Sequence, residues 1–511
     1  MRAAIIDIGS TTMKLAIGEQ DGDDIKILES LVSTIDIGRD TFYQGRIARQ
    51  EINQIIDILE KYRLIINQYE VTDVKVIATT AVREAENNNL FLDTIYRKTG
   101  YTIEILNVGD VVFYIDSYLS QKLKKFYPLH EKNLIIAEIG SGSLDISIME
   151  KGYIVTNMGI PAGTLRLKQF KNQIDGTQEE SDTALEEFIE SQLSRIRFIS
   201  PKIKIDDIIL IDETYSKHLQ NLLPKKSRAS NFFQFSRREV NRLKEKVKNE
   251  RLDEIGFQYK IPPHIADTLD GYAMILDRLL TLVKNKYCYI LETSLSEAIL
   301  GNLIFGREIS AKYSKSLQLI SAARFICQKF NSNLKHTKAV AKISEELFGY
   351  FKDILGLQEE SLIYLILAAY MHNVGLFISN RAYHKHAEYI INSMQMFRLT
   401  QREMKMIACI ARYHRKATPQ RSHPLYASMD PHEQMLIQKL SSILRIAHSL
   451  DNSQKQKIKN MEVQYGKNQD ISLILYTQDS FALEKSIFAQ TKYLFEELSG
   501  SKINLIIKKI S

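Results

Sequence analysis

Cysteine is scarce in this chain. The three present, Cys288, Cys327 and Cys409, are odd in number and far apart. That excludes a disulfide framework and points to a reducing compartment. Long apolar runs are missing too. The most apolar helical stretch, around Leu362 to Met371, is shorter than the roughly 20 residues a bilayer span needs, so no membrane partner is expected. The first residues run directly into an apolar strand, so no secretory signal is expected, and the expected location is the cytoplasm. Extreme charge is also lacking. A net charge of +7 suits a polyanionic partner without calling for a specific nucleic acid. With 44% hydrophobic and 25% charged residues the composition is that of a folded soluble protein. At 511 residues it is too long for one core, and three or four domains are expected.

What the chain does have is a stretch that occurs twice. Ile6-Asp7-Ile8-Gly9-Ser10-Thr11-Thr12 returns as Ala137-Glu138-Ile139-Gly140-Ser141-Gly142-Ser143, at a constant offset of 131 residues (Asp7 to Glu138). Acid aligns with acid, glycine with glycine and serine with serine. Each copy follows an apolar run and leads into residues that suit a strand, which predicts a β-hairpin with a carboxylate at its mouth. Small residues in such a turn let backbone N–H groups cup an anion. The hydroxyls of Ser10, Thr11, Thr12, Ser141 and Ser143 add donors around Gly140 and Gly142. Asp7 and Glu138 are placed to hold Mg²⁺ (or Mn²⁺), which bridges to phosphate oxygens. One Gly-Ser turn alone is only a turn. Two in register, with acids at both mouths, point to a phosphate chain gripped from two sides.

Between the copies the pattern is α/β. A strand is expected from Leu28 to Ile37, a helix from Ala48 to Asn67, and a buried strand from Val74 to Ala78. The last leads into Thr79-Thr80-Ala81-Val82-Arg83, where a strand end meets a helix start, the usual ligand position of an open α/β sheet. Arg83 is the basic residue placed there to meet phosphate; Asn87 and Phe91 read as structural.

In these residues the chain resembles the Ppx/GppA family of exopolyphosphatases and guanosine pentaphosphate phosphohydrolases. The resemblance rests on Ile6 to Ser10, the segment Ala78 to Arg83 with Asn87 and Phe91, the second Gly-Ser turn, and Gly163-Thr164-Leu165-Arg166-Leu167. The hairpins alone would also suit acyl-CoA dehydratase activators, but those hold an iron–sulfur cluster with clustered cysteines, which are missing here. The resemblance implies two ribonuclease-H-like lobes of the actin-like ATPase superfamily (1–125 and 126–310), an HD-like helical domain (311–455) and a small C-terminal α/β domain (456–511). It also implies hydrolysis of the terminal phosphate of inorganic polyphosphate or guanosine pentaphosphate, and a homodimer. The family's two glutamates are altered. Asp110, in Asn107-Val108-Gly109-Asp110, offers the one carboxylate near the first, and Asp145 stands where the second is usual. Asp110 and Asp145 are therefore the candidate catalytic acids. The alternative is a catalytically impaired sensor of phosphate chains or nucleotides.

Further along lies a basic tract of Lys225, Lys226, Arg228, Arg237, Arg238, Arg242, Lys244, Lys246, Lys248 and Arg251, a composition usual for a solvated helix face. Eight of the eleven histidines fall between 336 and 448. The order His336, His372-Asn373, Asp451 resembles the metal-binding set of HD domains, and His336, His372 and Asp451 are the candidate ligands. The amide of Asn373 replaces the carboxylate such a set uses, which is a weaker donor. The competing expectation is a helical domain of buried, hydrogen-bonded histidines. The last segment reads strand 458–465, strand 471–477, helix 483–498 and strand 503–508.

Overall fold

The computed structural model describes residues 1–124, 127–199, 203–223, 227–229, 231–283, 287–312, 314–415, 417–466 and 470–510. The chain divides into two compact units, Met1–Lys315 and Ser316–Ser511.

The first unit is built on two mixed sheets. Strands β1 (Arg2–Ile8), β2 (Thr12–Asp21), β3 (Asp24–Thr34), β4 (Val74–Ala78) and β5 (Ile103–Ile105) lie in the order β3-β2-β1-β4-β5. Strands β6 (Asn133–Ile139), β7 (Leu144–Glu150), β8 (Tyr153–Ile160), β9 (Asp207–Ile211), β10 (Ser227–Ala229), β11 (Phe232–Ser236) and β12 (Tyr287–Leu291) lie in the order β10-β11-β12-β9-β6-β7-β8. In each sheet an antiparallel meander of three strands is joined through its first strand to parallel neighbours. The duplication seen in the sequence is thus a duplication of topology. The central strands are apolar on both faces because both are covered: Ala3 to Ile6 and Leu134 to Ala137 are buried. The edge strand β3 is half-exposed and carries Lys26 and Glu29, charges that discourage pairing with another edge.

Helices cover the sheets. The helix Arg49–Gln68 places Ile52, Ile55, Leu59, Tyr62 and Ile66 on its buried face, each worth roughly 1.5–3 kcal/mol when fully removed from water. The helix Leu295–Lys312 lies against Val108–Lys122, where the Tyr118 hydroxyl donates to Glu297 Oε1 at 2.7 Å. The expected strand to Ile37 is corrected. It ends at Thr34, and a helix Ile37–Gln44 begins where the Gly38 N–H donates to the Ser10 carbonyl at 2.8 Å. Ile35 and Ile37 are both buried, so alternation continued past the strand end and imitated one more turn of sheet.

In the second unit the helices Leu334–Leu355, Leu362–Met371, Tyr383–Asn392, Gln401–Arg412 and Pro431–Leu450 form a bundle. Capping boxes start two of them, Thr400 with Glu403 and Asp430 with Glu433. With its flanking turns the run Glu359–Phe377 is long and apolar enough, by length and composition, to cross a membrane. Two-thirds of it is buried inside the unit, as expected of a core helix. Strands β13 (Ile458–Tyr465), β14 (Ile471–Thr477) and β15 (Ile503–Lys509) make a separate sheet. The helix expected there is two, Ala482–Thr491 and Tyr493–Ser499. Cys288, Cys327 and Cys409 are all free and buried.

Three residues of the basic tract are spent on ion pairs. Lys244 meets Glu186 and Asp277, Lys246 meets Glu250, and Arg251 meets Asp253. Lys225 and Lys226 lie outside the described residues.

One buried acid is placed for a stability measurement. Asp116, on the helix Val108–Lys122, accepts from Ser147 Oγ at 3.0 Å and is fully buried. Burial pushes its carboxyl from the ordinary 3.8 up to about 8. The folded state therefore keeps a proton that the unfolded chain releases, and stability falls as pH rises between those values. Asp116→Asn keeps the neutral shape. It is expected to raise the melting temperature at pH 8 and to have little effect near pH 4. A melting series at several pH values, with an equal shift throughout, would remove Asp116 as the cause.

Candidate active site

Both Gly-Ser turns line one cleft of the first unit, a cavity of about 570 Å³. Each is closed the same way. Gly9 N–H donates to the Thr12 carbonyl, and Gly140 N–H to the Ser143 carbonyl, both at 2.9 Å. Each turn is also braced by a helix start that comes close because a glycine is there. Behind the first is Gly38. Behind the second is Gly163, where a Cβ would lie 2.4 Å from Gly142 C, Ser141 O and Ser143 N. From there Thr164 N–H reaches the Gly140 carbonyl at 3.0 Å, and Leu165 N–H the Ser141 carbonyl at 3.0 Å. These bonds fix the turn, leaving Ser10, Thr11, Thr12, Ser141, Gly142 and Ser143 along the cavity wall. Across the cleft Thr80 Oγ1 and Ser143 Oγ share a hydrogen bond of 3.0 Å.

The cleft is crowded with carboxylates. Asp7 accepts from Ser296 Oγ at 3.0 Å, while its Oδ1 is buried with no partner among the described residues. Burial pushes the Asp7 carboxyl up, opposed by Lys14 and Ser296. Glu138 stands opposite Asp145 in the β6–β7 register. Burial, with Asp145 and Asp7 as like-charged neighbours, pushes Glu138 up to about 8. Asp145 is raised by burial to about 6, against the pull of Arg83 and Ser143. Its Oδ1 is also buried without a partner among the described residues.

Four groups here escaped the sequence reading as site residues. Lys14, opposite Asp7 on β2, pairs with Glu213 at 2.8 Å. Asp212 accepts from Thr214 N, Tyr215 N and the Tyr272 hydroxyl, and burial raises it to about 6. Tyr215 lines the same wall. The usable signal was Asp212-Glu213, two acids directly after a buried strand, the position where ligand groups gather in such sheets.

Two candidates are placed elsewhere than expected. Asp110 does not line the cavity. Its carboxylate accepts from the Asn107 N–H, and its own N–H donates to Asn107 Oδ1, so it closes the capping box of the helix Val108–Lys122. Arg83 does not line the cavity either. It donates to the Leu106 carbonyl at 2.7 Å and to Thr80 Oγ1 at 3.1 Å. Its charge reaches the cleft by holding Asp145 down.

In the second unit His336, His372 and Asp451 are all buried. Asp451 is held in a hydrogen-bond network. Its Oδ2 accepts from His336 Nδ1 at 2.8 Å and Gln456 Nε2 at 3.2 Å, and its Oδ1 from Gln456 N at 2.8 Å.

The model of the Ppx/GppA phosphatase family matches residues 16–203, and that of Ppx/GppA phosphatase domain III matches 320–493. The chain belongs to the Ppx/GppA family. Curated relatives include the exopolyphosphatase 1 of Mycobacterium tuberculosis, 25% identical over 169 residues (32% of this chain, 48% of that protein). Another is the bifunctional 3-dehydroquinate synthase/phosphatase of Fusobacterium nucleatum, 23% identical over 203 residues (38% and 30%). The match spans less than half the length of either. Among solved structures, the Ppx/GppA family member of Aquifex aeolicus is 21% identical and covers 60% of this chain and 98% of its own, with a TM-score of 0.52. An exopolyphosphatase from Cytophaga hutchinsonii is 20% identical with the same coverages and a TM-score of 0.53. The fold is accordingly the duplicated ribonuclease-H-like one of the actin-like ATPase superfamily, with the helical domain III of the Ppx/GppA family.

Gly163→Ala tests the bracing of the second turn. Backbone atoms at 2.4 Å cannot yield as a side chain would, so a loss of about 1–3 kcal/mol in chemical denaturation is expected. An unchanged midpoint would mean that this helix start moves freely away from the turn.

Proposed function

We propose that the cleft hydrolyses the terminal phosphate of a phosphate chain, inorganic polyphosphate or the chain end of guanosine pentaphosphate, with the aid of Mg²⁺. The observation that carries this reading is the pair of braced Gly-Ser turns opening on one cavity, each with a half-buried acid at its mouth, in a chain of the Ppx/GppA family. The printed name of the mycobacterial relative, exopolyphosphatase, agrees with it.

The turns supply the binding. Ser10, Thr11 and Thr12 from one side, and Ser141, Gly142 and Ser143 from the other, offer hydroxyl and backbone donors to phosphate oxygens. The carboxylates would repel the same anion if left uncompensated. The orphaned Asp7 Oδ1 and the upward push on Glu138 mark a site short of positive charge, and these two residues are the ones that would hold a divalent ion. Such an ion would supply charge neutralisation at phosphate oxygens. Asp145, held near 6 and so ionised at neutral pH, orients the attacking water and takes its proton. Arg83 keeps it in that state. Lys14, paired with Glu213, fixes the far side of the cleft. The remaining work is positioning, which suits a reaction whose transition state asks for placement and charge more than covalent chemistry.

The second reading, a sensor without turnover, is favoured by one observation: Asp110 is taken up by helix capping, which leaves Asp145 as the base. Phosphate release with Mg²⁺, from long polyphosphate and from guanosine pentaphosphate in parallel with equilibrium binding, separates the two. Asp145→Asn is expected to lose at least about a hundredfold in turnover, the scale of a general base, while keeping its affinity. Full activity in that variant would sink Asp145 as the base. Tight binding without release by the wild type would make this a sensor.

A further inference from the structure

The second unit holds a cluster that the phosphate cleft does not use. Four imidazoles pack edge to face around one point. Ring centres are 5.4 Å apart for His336 and His372, 5.6 Å for His336 and His448, and 5.3 Å for His372 and His448. His414 closes one side, 4.8 Å from His372 and 4.9 Å from His448. One ring nitrogen from each of His336, His372 and His448 falls within 4.8 Å of the others. Among the described residues no other trio of metal-ligating side chains converges in this way.

The hydrogen bonds decide which nitrogens are available. His336 Nδ1 donates to Asp451 Oδ2 at 2.8 Å, and His372 Nδ1 donates to the Ala369 carbonyl at 2.7 Å. In both rings the proton therefore sits on Nδ1, and Nε2 carries a lone pair. Both residues have 0% exposure, and both Nε2 atoms are buried without a partner among the described residues. A buried polar atom left unpaired is costly, so two of them beside a third imidazole are an unfavourable arrangement unless something sits between them. His414 is spoken for on both sides. Its Nδ1 donates to the Ala411 carbonyl at 2.6 Å, and its Nε2 accepts from the Tyr383 hydroxyl at 3.2 Å.

We propose that His336, His372 and His448 bind one divalent first-row transition-metal ion of the zinc class, with Asp451 as the residue that positions His336. A tetrahedral ion about 2.0–2.1 Å from three imidazole nitrogens sets their ring centres roughly 5 Å apart, close to the three spacings here. Neutral imidazoles with no carboxylate or thiolate in the set select zinc-like ions over Mg²⁺ or Ca²⁺. A ligating histidine characteristically gives its other N–H to a carboxylate or a carbonyl, as His336 and His372 do. Three protein ligands leave the fourth position to water. His448, the partly exposed member, gives the ion its way in. Two ligands stand at helix C-terminal ends, His372 after Leu362–Met371 and His448 in the last turn of Pro431–Leu450, where the helix dipoles favour a cation. The ion would tie the ends of three helices together. This site differs from the one expected from sequence: His448 takes the place given to Asp451.

The test is a Co²⁺ titration of the chelator-stripped full-length protein, with excess Mg²⁺ present to occupy any carboxylate site. One equivalent is expected to bind, with the intense visible absorption of a four-coordinate ion and a rise in melting temperature. His448→Gln, with its circular dichroism unchanged, is expected to lose both signals. Asp451→Asn is expected to weaken binding by about 10- to 100-fold without abolishing it. Failure of the wild type to take up a stoichiometric ion overturns the site whatever the variants do. So does uptake with the pale spectrum of a six-coordinate ion, or uptake undiminished in His448→Gln.

Discussion

Two acids side by side in a buried cleft set the terms for the first unit. Glu138 and Asp145 are cross-strand partners at the mouth of the second hairpin, and Asp7 faces them from the first. Like charges so placed are costly out of water. The surrounding groups answer that cost piece by piece. Arg83 bears on Asp145, Ser296 donates to Asp7, and Lys14 binds Glu213. Even so, Glu138 remains pushed far above its ordinary range. The protein has accepted a destabilising charge pattern beside two closely braced turns, which is the trade expected where positioning matters more than stability.

Much of this was legible in the sequence, and the reason is local. The hairpins were readable because strand, turn and strand are contiguous and the repeat announces itself. The strands Val74–Ala78, Ile458–Tyr465 and Ile471–Thr477 were readable because short β-rich runs between turn signals have few alternatives. What stayed hidden depends on groups far apart in the chain. Lys14 finds Glu213 across nearly two hundred residues, and Asp212 finds Tyr272 across sixty. Asp110 was misplaced for the opposite reason. Its partner Asn107 is three residues away, and a capping box and a catalytic acid look alike when only residue type is known. Arg83 belongs with the hidden group, because the Leu106 carbonyl that holds it ends a different strand's connection.

The histidines of the second unit show the same division. Their crowding along the chain is plain, and the resemblance of their order to an HD set led to Asp451 as a ligand. The structure sets Asp451 Oδ2 against His336 Nδ1 and the Ala369 carbonyl against His372 Nδ1, and the tautomers follow from these acceptors, which no spacing rule supplies.

The two hairpins are copies, but they are not the same at every position. The residue opposite the acid is Lys14 in the first and Asp145 in the second. If the proposed ligand is a linear polyphosphate, it reads the same from either end, and a cleft made of two identical turns would receive it in either sense. One exchanged charge removes that equivalence. The cleft acquires a direction, with Lys14 on one wall and Asp145 on the other. Such a chain lying between them would have one end marked out from its other by the protein, though nothing in the chain itself distinguishes them.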